Sequence, residues 1–138
     1  TLSLLDDRSA LDTHLDALYE KRTTTREAGL RGLSAVLESY DNSDEVEGQQ
    51  HTLATLLTNL IKRGGSTEQE LATKALGLLC VNLGCCTETH SIFQAHGELL
   101  QKVARAGKSP RARVVGNDVL ALATFIACED YRETLEVM

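Results

Sequence analysis

Leu53-Ala54-Thr55-Leu56-Leu57-Thr58-Asn59-Leu60-Ile61-Lys62-Arg63-Gly64-Gly65-Ser66-Thr67-Glu68-Gln69 is the stretch from which the fold is read. Leu53, Leu56, Leu57, Leu60 and Ile61 stand at i, i+3, i+4, i+7 and i+8, which makes one apolar stripe along a helix. Gly64-Gly65 predicts the end of that helix, because glycine adopts the left-handed cap conformation without steric cost. Ser66 and Gln69 read as a capping box, each side chain satisfying a backbone N–H at the start of the next helix. That helix, expected over Thr67–Leu83, is apolar nearly all round through Leu71, Ala72, Ala75, Leu76, Leu78, Leu79, Cys80 and Val81. A helix of that kind sits centrally, between its partner and other elements.

The helix start recurs on both sides. Thr25 opens Arg26-Glu27-Ala28 and Ser109 opens Pro110-Arg111-Ala112, so the three starts lie 41 and 43 residues apart. This matches the period of about 40 to 47 residues of HEAT and armadillo repeats. The expectation is an all-α, armadillo/HEAT-like solenoid of about three helix pairs, forming one helical-repeat domain over residues 1–138. A first helix is expected over Ser9–Lys21 and a second over Thr25–Tyr40, with Leu30, Leu33, Val36 and Leu37 on its buried side. Residues 41–50 are polar and acidic, and are read as a loop. Beyond it, helical pieces are expected over His90–Ala95, broken near Gly97, and over Leu99–Ala104, with a stop at Gly107. Ser109 then acts as N-cap with Pro110 at the first helical position, and a mostly buried helix runs to Ala127. Asp130 is read as the start of one more helix. The absence of an initiating Met and the unfinished apolar pattern over Tyr131–Met138 lead to the expectation of a fragment of a longer protein.

Solenoids of this kind present surfaces, and surfaces bind more often than they catalyse. No Ser, His and acid set has a structural reason to converge, and Ser91 beside His90 points about 100° away from it on a helix. No enzyme activity, cofactor or small-molecule substrate is expected. Among the cysteines, Cys85 and Cys86 are adjacent and no Cys-x-x-Cys pair occurs, so neither a metal nor a native disulfide is expected. Cys80 and Cys128 fall on apolar helix faces as core residues, a usage that fits a reducing compartment. No apolar run is long enough to span a bilayer, so no membrane partner is expected.

The net charge is −6, which by itself argues against nucleic acid. Its distribution reopens the question. Lys21, Arg22, Arg26 and Arg31 form one basic group, Lys62 and Arg63 a second, and Lys102, Arg105, Lys108, Arg111 and Arg113 a third; together they hold 11 of the 14 basic residues. Helix dipoles account for Lys21, Arg22, Lys62, Arg63 and Lys108, which stand at helix ends. The span Lys102–Arg113 carries five cations and no acid, and that asymmetry favours contact with a phosphate backbone. The candidate RNA contacts are therefore Lys21, Arg22, Arg26, Lys102, Arg105, Lys108, Arg111 and Arg113.

Three segments together resemble the interferon-related developmental regulator family. They are Ala17-Leu18-Tyr19-Glu20-Lys21-Arg22 leading to Thr25-Arg26-Glu27-Ala28-Gly29-Leu30, the run Glu70 to Gly84 with its Ala-Leu-Gly-Leu-Leu-Cys-Val-x-Leu-Gly core, and Ser109-Pro110-Arg111-Ala112-Arg113 leading to Thr124-Phe125-Ile126-Ala127. The Tyr-Glu-Lys-Arg wording resembles plant or algal members more than vertebrate ones. The resemblance implies a helical, armadillo-like N-terminal domain without enzymatic activity. It implies a factor that binds translationally inactive ribosomes, contacting rRNA and ribosomal proteins, and represses translation. It also implies the alternative of a transcriptional co-regulator scaffold that binds co-repressor proteins. The expected location is cytoplasmic, with the nucleus as a second. The chain departs from the family pattern between Tyr40 and Thr52, where the family supplies more apolar sequence.

Overall fold

A computed structural model of the chain describes residues 10–38, 48–83 and 87–127. The described residues form six helices, which we number α1 (Ala10–Ala17), α2 (Thr23–Glu38), α3 (Gln50–Arg63), α4 (Ser66–Leu83), α5 (Thr87–Ala106) and α6 (Pro110–Ala127). They make three hairpins, α1–α2, α3–α4 and α5–α6, and the all-α solenoid-like architecture follows from how these stack. The second helices α2, α4 and α6 pack side by side as an inner layer, with α4 in the middle, while α1, α3 and α5 each cover their own partner from outside.

The core follows from the periodicities. Leu53, Leu57 and Ile61 of α3, Leu76 and Leu79 of α4, and Leu30, Leu33 and Leu37 of α2 are buried in one core, with α2 and α3 both packed on α4. Each such leucine or isoleucine contributes about 1.5–3 kcal/mol through the apolar surface it withdraws from water. Where α4 crosses α6 the backbones approach closely, because Gly77 offers no side chain: a Cβ there would lie 2.7 Å from a Val119 methyl. The Nδ2 group of Asn82 donates to the carbonyl of Leu37 at 3.0 Å, fastening α4 to α2. Among the described residues, no helix is long and apolar enough to cross a membrane.

Several expected details differ. Helix α1 ends at Ala17 rather than Lys21, because the N–H groups of Leu18, Tyr19 and Glu20 turn back to carbonyls three residues earlier and tighten the chain into a turn. Helix α2 begins at Thr23, so Thr25 lies inside its first turn and is not the cap. Gln50, placed in the polar loop by its composition, is the first residue of α3. Gly97 does not break the fifth helix. It is buried within a continuous α5, its cost of about 1 kcal/mol outweighed by the burial of Ile92, Leu100 and Val103 along the same helix. Helix α6 is less buried than its composition implies, with Val114 59% and Leu122 41% exposed. Cys80 is buried in the core as expected. Cys85, Cys86 and Cys128, most of the acidic loop and the helix expected from Asp130 lie outside the described residues.

Candidate nucleic-acid interface

Each hairpin places its turn at the same end, so Leu18–Arg22, Gly64–Gly65 and Gly107–Ser109 come together along one edge of the solenoid. The turn of the middle hairpin is the hub. Gly64 ends α3 in an extended conformation (φ −71°, ψ 163°), its N–H donating to the carbonyl of Leu60. The left-handed cap expected there is not used. Glycine is required for a different reason: a Cβ at Gly64 would lie 2.7 Å from the Leu60 carbonyl oxygen and 2.7 Å from a Glu68 carboxylate oxygen. The missing side chain makes room for Glu68, which is buried to 1% exposure.

Glu68 receives Arg26 from the first hairpin, Nε to Oε1 at 2.5 Å. The same guanidinium donates through Nη1 to the carbonyls of Glu20 at 2.9 Å and Lys21 at 2.7 Å. This hydrogen bond to Glu68, and the carboxylate's charge, raise the Arg26 pKa against the opposing effect of burial. The third hairpin docks on the other side. The Lys108 ammonium donates to the Gly64 carbonyl, and the Lys108 backbone N–H donates to Gln69 Oε1 at 2.7 Å. Gln69 also donates through Nε2 to the Ile61 carbonyl at 3.1 Å. The capping box read from Ser66 and Gln69 is therefore absent: Gln69 is buried, and its side chain serves the carbonyl end of α3 and the turn of the next repeat. The cap read at Ser109 is present, its Oγ accepting from the Ala112 N–H at 3.0 Å.

This arrangement divides the eight candidate cations. Arg26, Lys108 and Arg113 are engaged within the fold, Arg113 donating to the Gly107 carbonyl at 3.0 Å. Lys21, Arg22, Lys102, Arg105 and Arg111 are exposed. Two hollows flank the joined turns. One, of about 600 Å³, lies between α3 and α5 and gathers Lys62, Lys102 and Arg105. The other, of about 730 Å³, lies at the starts of α4 and α6 and gathers Arg31 and Arg111 beside Ser66 and Ser109. Lys62 and Arg31 belong to the basic groups read from the sequence but are not among the eight candidate contacts. Lys62 stands in the last turn of α3 as Arg105 does in that of α5, with Lys102 one turn further in. Among the described residues, no group of three His, Cys, Asp or Glu side chains is placed to hold a metal ion.

Comparison with known proteins adds identity to this geometry. The family model described as Interferon-related developmental regulator (IFRD) matches residues 4–138. The chain is 31% identical over 129 residues to mouse Interferon-related developmental regulator 2, covering 93% of this chain and 29% of that protein. It is 31% identical over 120 residues to mouse Interferon-related developmental regulator 1 (86% of this chain, 27% of that protein). With the human protein of the same name it shares 30% over 128 residues, covering 90% of this chain and 28% of the relative. The chain thus spans less than a third of the length of these curated relatives, and no solved structure matches it. A family match along almost its whole length, joined to the resemblance carried by its three segments, means that this chain belongs to the interferon-related developmental regulator family.

Proposed function

We propose that this domain is a non-enzymatic docking platform for translationally inactive ribosomes, holding rRNA and neighbouring ribosomal proteins at the edge that carries the three turns and thereby helping to repress translation. What supports the reading is one observation: basic groups far apart in sequence gather on one edge of a chain whose net charge is −6. Cations concentrated in this way act as a phosphate footprint, even on an acidic protein. No cofactor or small-molecule substrate enters this reading, and its setting is the cytoplasm.

The test is co-sedimentation of the chain with ribosomes at increasing salt. Phosphate contacts release counterions, so binding should weaken steeply as salt rises. The variant Lys21→Glu, Arg22→Glu, Arg111→Glu reverses three exposed cations that hold no described neighbour through their side chains, and it should lose binding while retaining its helical circular dichroism. Undiminished binding by this variant refutes the proposal.

A second reading, a nuclear scaffold for co-repressor proteins, draws support from the exposed Val114 and Leu122 on α6. A protein-only interface built on such residues would depend weakly on salt and would fail on Val114→Ser, Leu122→Ser.

A further inference from the structure

The hollow between α3 and α5 is more than a stretch of basic surface. Ala95 and Leu99 contribute apolar lining, and its charged lining is Lys62, Lys102 and Arg105 against a single carboxylate, Glu98. A narrower recess of about 170 Å³ continues from it past Lys62 and Lys102 to Gln69 and Lys108. Among the described residues, Lys62, Lys102 and Arg105 make no ion pair and no side-chain hydrogen bond. Helix dipoles account for Lys62 and Arg105, in the last turns of α3 and α5, but Lys102 stands one turn further in. Three cations facing one concavity repel one another, and Glu98 offsets only one of them. An anion in the groove removes that repulsion.

His96 lines the same groove, half-buried. Burial first, and then the Lys62 charge, hold its pKa below the ordinary imidazole value, so near neutral pH it offers an N–H donor without adding a fourth positive charge. The charged groups around it are Lys62 from α3 and Glu98, Lys102 and Arg105 from its own helix. Cations such as Lys62, Lys102 and Arg105 engage backbone phosphates, contacts that carry no base sequence.

Resting on the docking reading above, we propose that the α3–α5 groove seats consecutive backbone phosphates of RNA, with Lys62, Lys102 and Arg105 as their cationic partners and His96 as a further donor. Binding there is indifferent to base sequence. It is also coupled to pH, because a bound phosphate favours the charged imidazolium that the empty groove disfavours.

The probe is a fluorescently labelled uridine 12-mer, followed by anisotropy at low salt. Lys62→Gln, Lys102→Gln should weaken binding about tenfold and flatten the salt dependence by about 0.7 in slope per lost contact. Wild-type affinity should rise several-fold between pH 7.5 and 5.5, and His96→Gln should remove that rise while leaving affinity at pH 7.5 near wild type. Circular dichroism checks that the variants keep their helices. If the double variant binds the 12-mer like wild type while Lys21→Glu, Arg22→Glu, Arg111→Glu does not, the groove is not the seat; this inference falls and the docking reading survives. If the wild-type chain binds neither the 12-mer nor ribosomes, both fall. If a polyglutamate peptide displaces the 12-mer at equal concentration and shows the same dependence on Lys62 and Lys102, the occupant is an acidic protein segment and the RNA assignment is overturned.

Discussion

Arg26 and Glu68 are 42 residues apart in sequence and joined at 2.5 Å, the carboxylate 2% exposed and the guanidinium 21% exposed. Their pairing ties the first hairpin to the turn of the second. A side chain that charge-run reasoning assigns to a ligand thus belongs to the repeat-to-repeat contact. Removing one partner of such a pair leaves the other buried and uncompensated, whereas replacing both restores an apolar fit. We expect Arg26→Met to lower stability by about 3 kcal/mol and Arg26→Met, Glu68→Met to recover much of that loss. Urea unfolding of Arg26→Met, Glu68→Met and the double variant measures the coupling; strict additivity would contradict it.

Gly64 and Gly65 adjoin in sequence but meet opposite surroundings. A methyl group at Gly64 would press on the Leu60 carbonyl and on Glu68, while nothing lies within 4 Å of one at Gly65. Gly64→Ala should therefore cost about 1–3 kcal/mol through overpacking. Gly65→Ala should be neutral or stabilising by up to about 1 kcal/mol, since it restricts the unfolded chain. The thermal melt should fall for Gly64→Ala and hold or rise for Gly65→Ala, and equal shifts would rule this account out.

Leu76 and Leu122 test the layering. Leu76 is fully buried at the centre of α4, and Leu122 is 41% exposed on α6. Leu76→Ala should cost about 2–5 kcal/mol, against about 0.5 kcal/mol or less for Leu122→Ala. Comparable losses in denaturant titrations would mean that α6 is covered on its outer face.

The stability of the free chain should depend on pH through His96. Its folded pKa lies below the ordinary value of 6.5 because of burial and Lys62. As pH falls, the unfolded chain takes up this proton first, so the stability contributed by neutral His96 is present above 6.5 and is lost through the window below it, down to the folded value. The urea midpoint should therefore drop between pH 7.5 and pH 5.5, and drop less in His96→Gln. Identical pH profiles for the two proteins would remove His96 from the explanation.

Much of this protein was legible in one dimension because its determinants are local. The stripe Leu53 to Ile61, the Ser109 cap with Pro110 behind it and the recurrence of hairpins act within a few residues, and they correctly placed α3, α4 and α6 to within three residues. The all-helical class and the central position of α4 followed from the same periods. Charge runs located the basic groups too, since composition needs no folding to be read.

Tertiary structure decided what those residues do. Gly97 reads as a break because its propensity is local, yet the apolar face of α5 carries the helix through it. Gln69 reads as a cap partner, but the fold brings the Ile61 carbonyl and the Lys108 N–H within its reach. Arg26 and Lys108 read as free cations, and each finds its partner more than 40 residues away. The α3–α5 groove exists only because two first helices of successive hairpins stand side by side. Local free energies determine which segments become helices; which donor meets which acceptor, and which cations stay free for a ligand, depends on packing between repeats, whose contacts span the full repeat length and leave no trace in a short window of sequence.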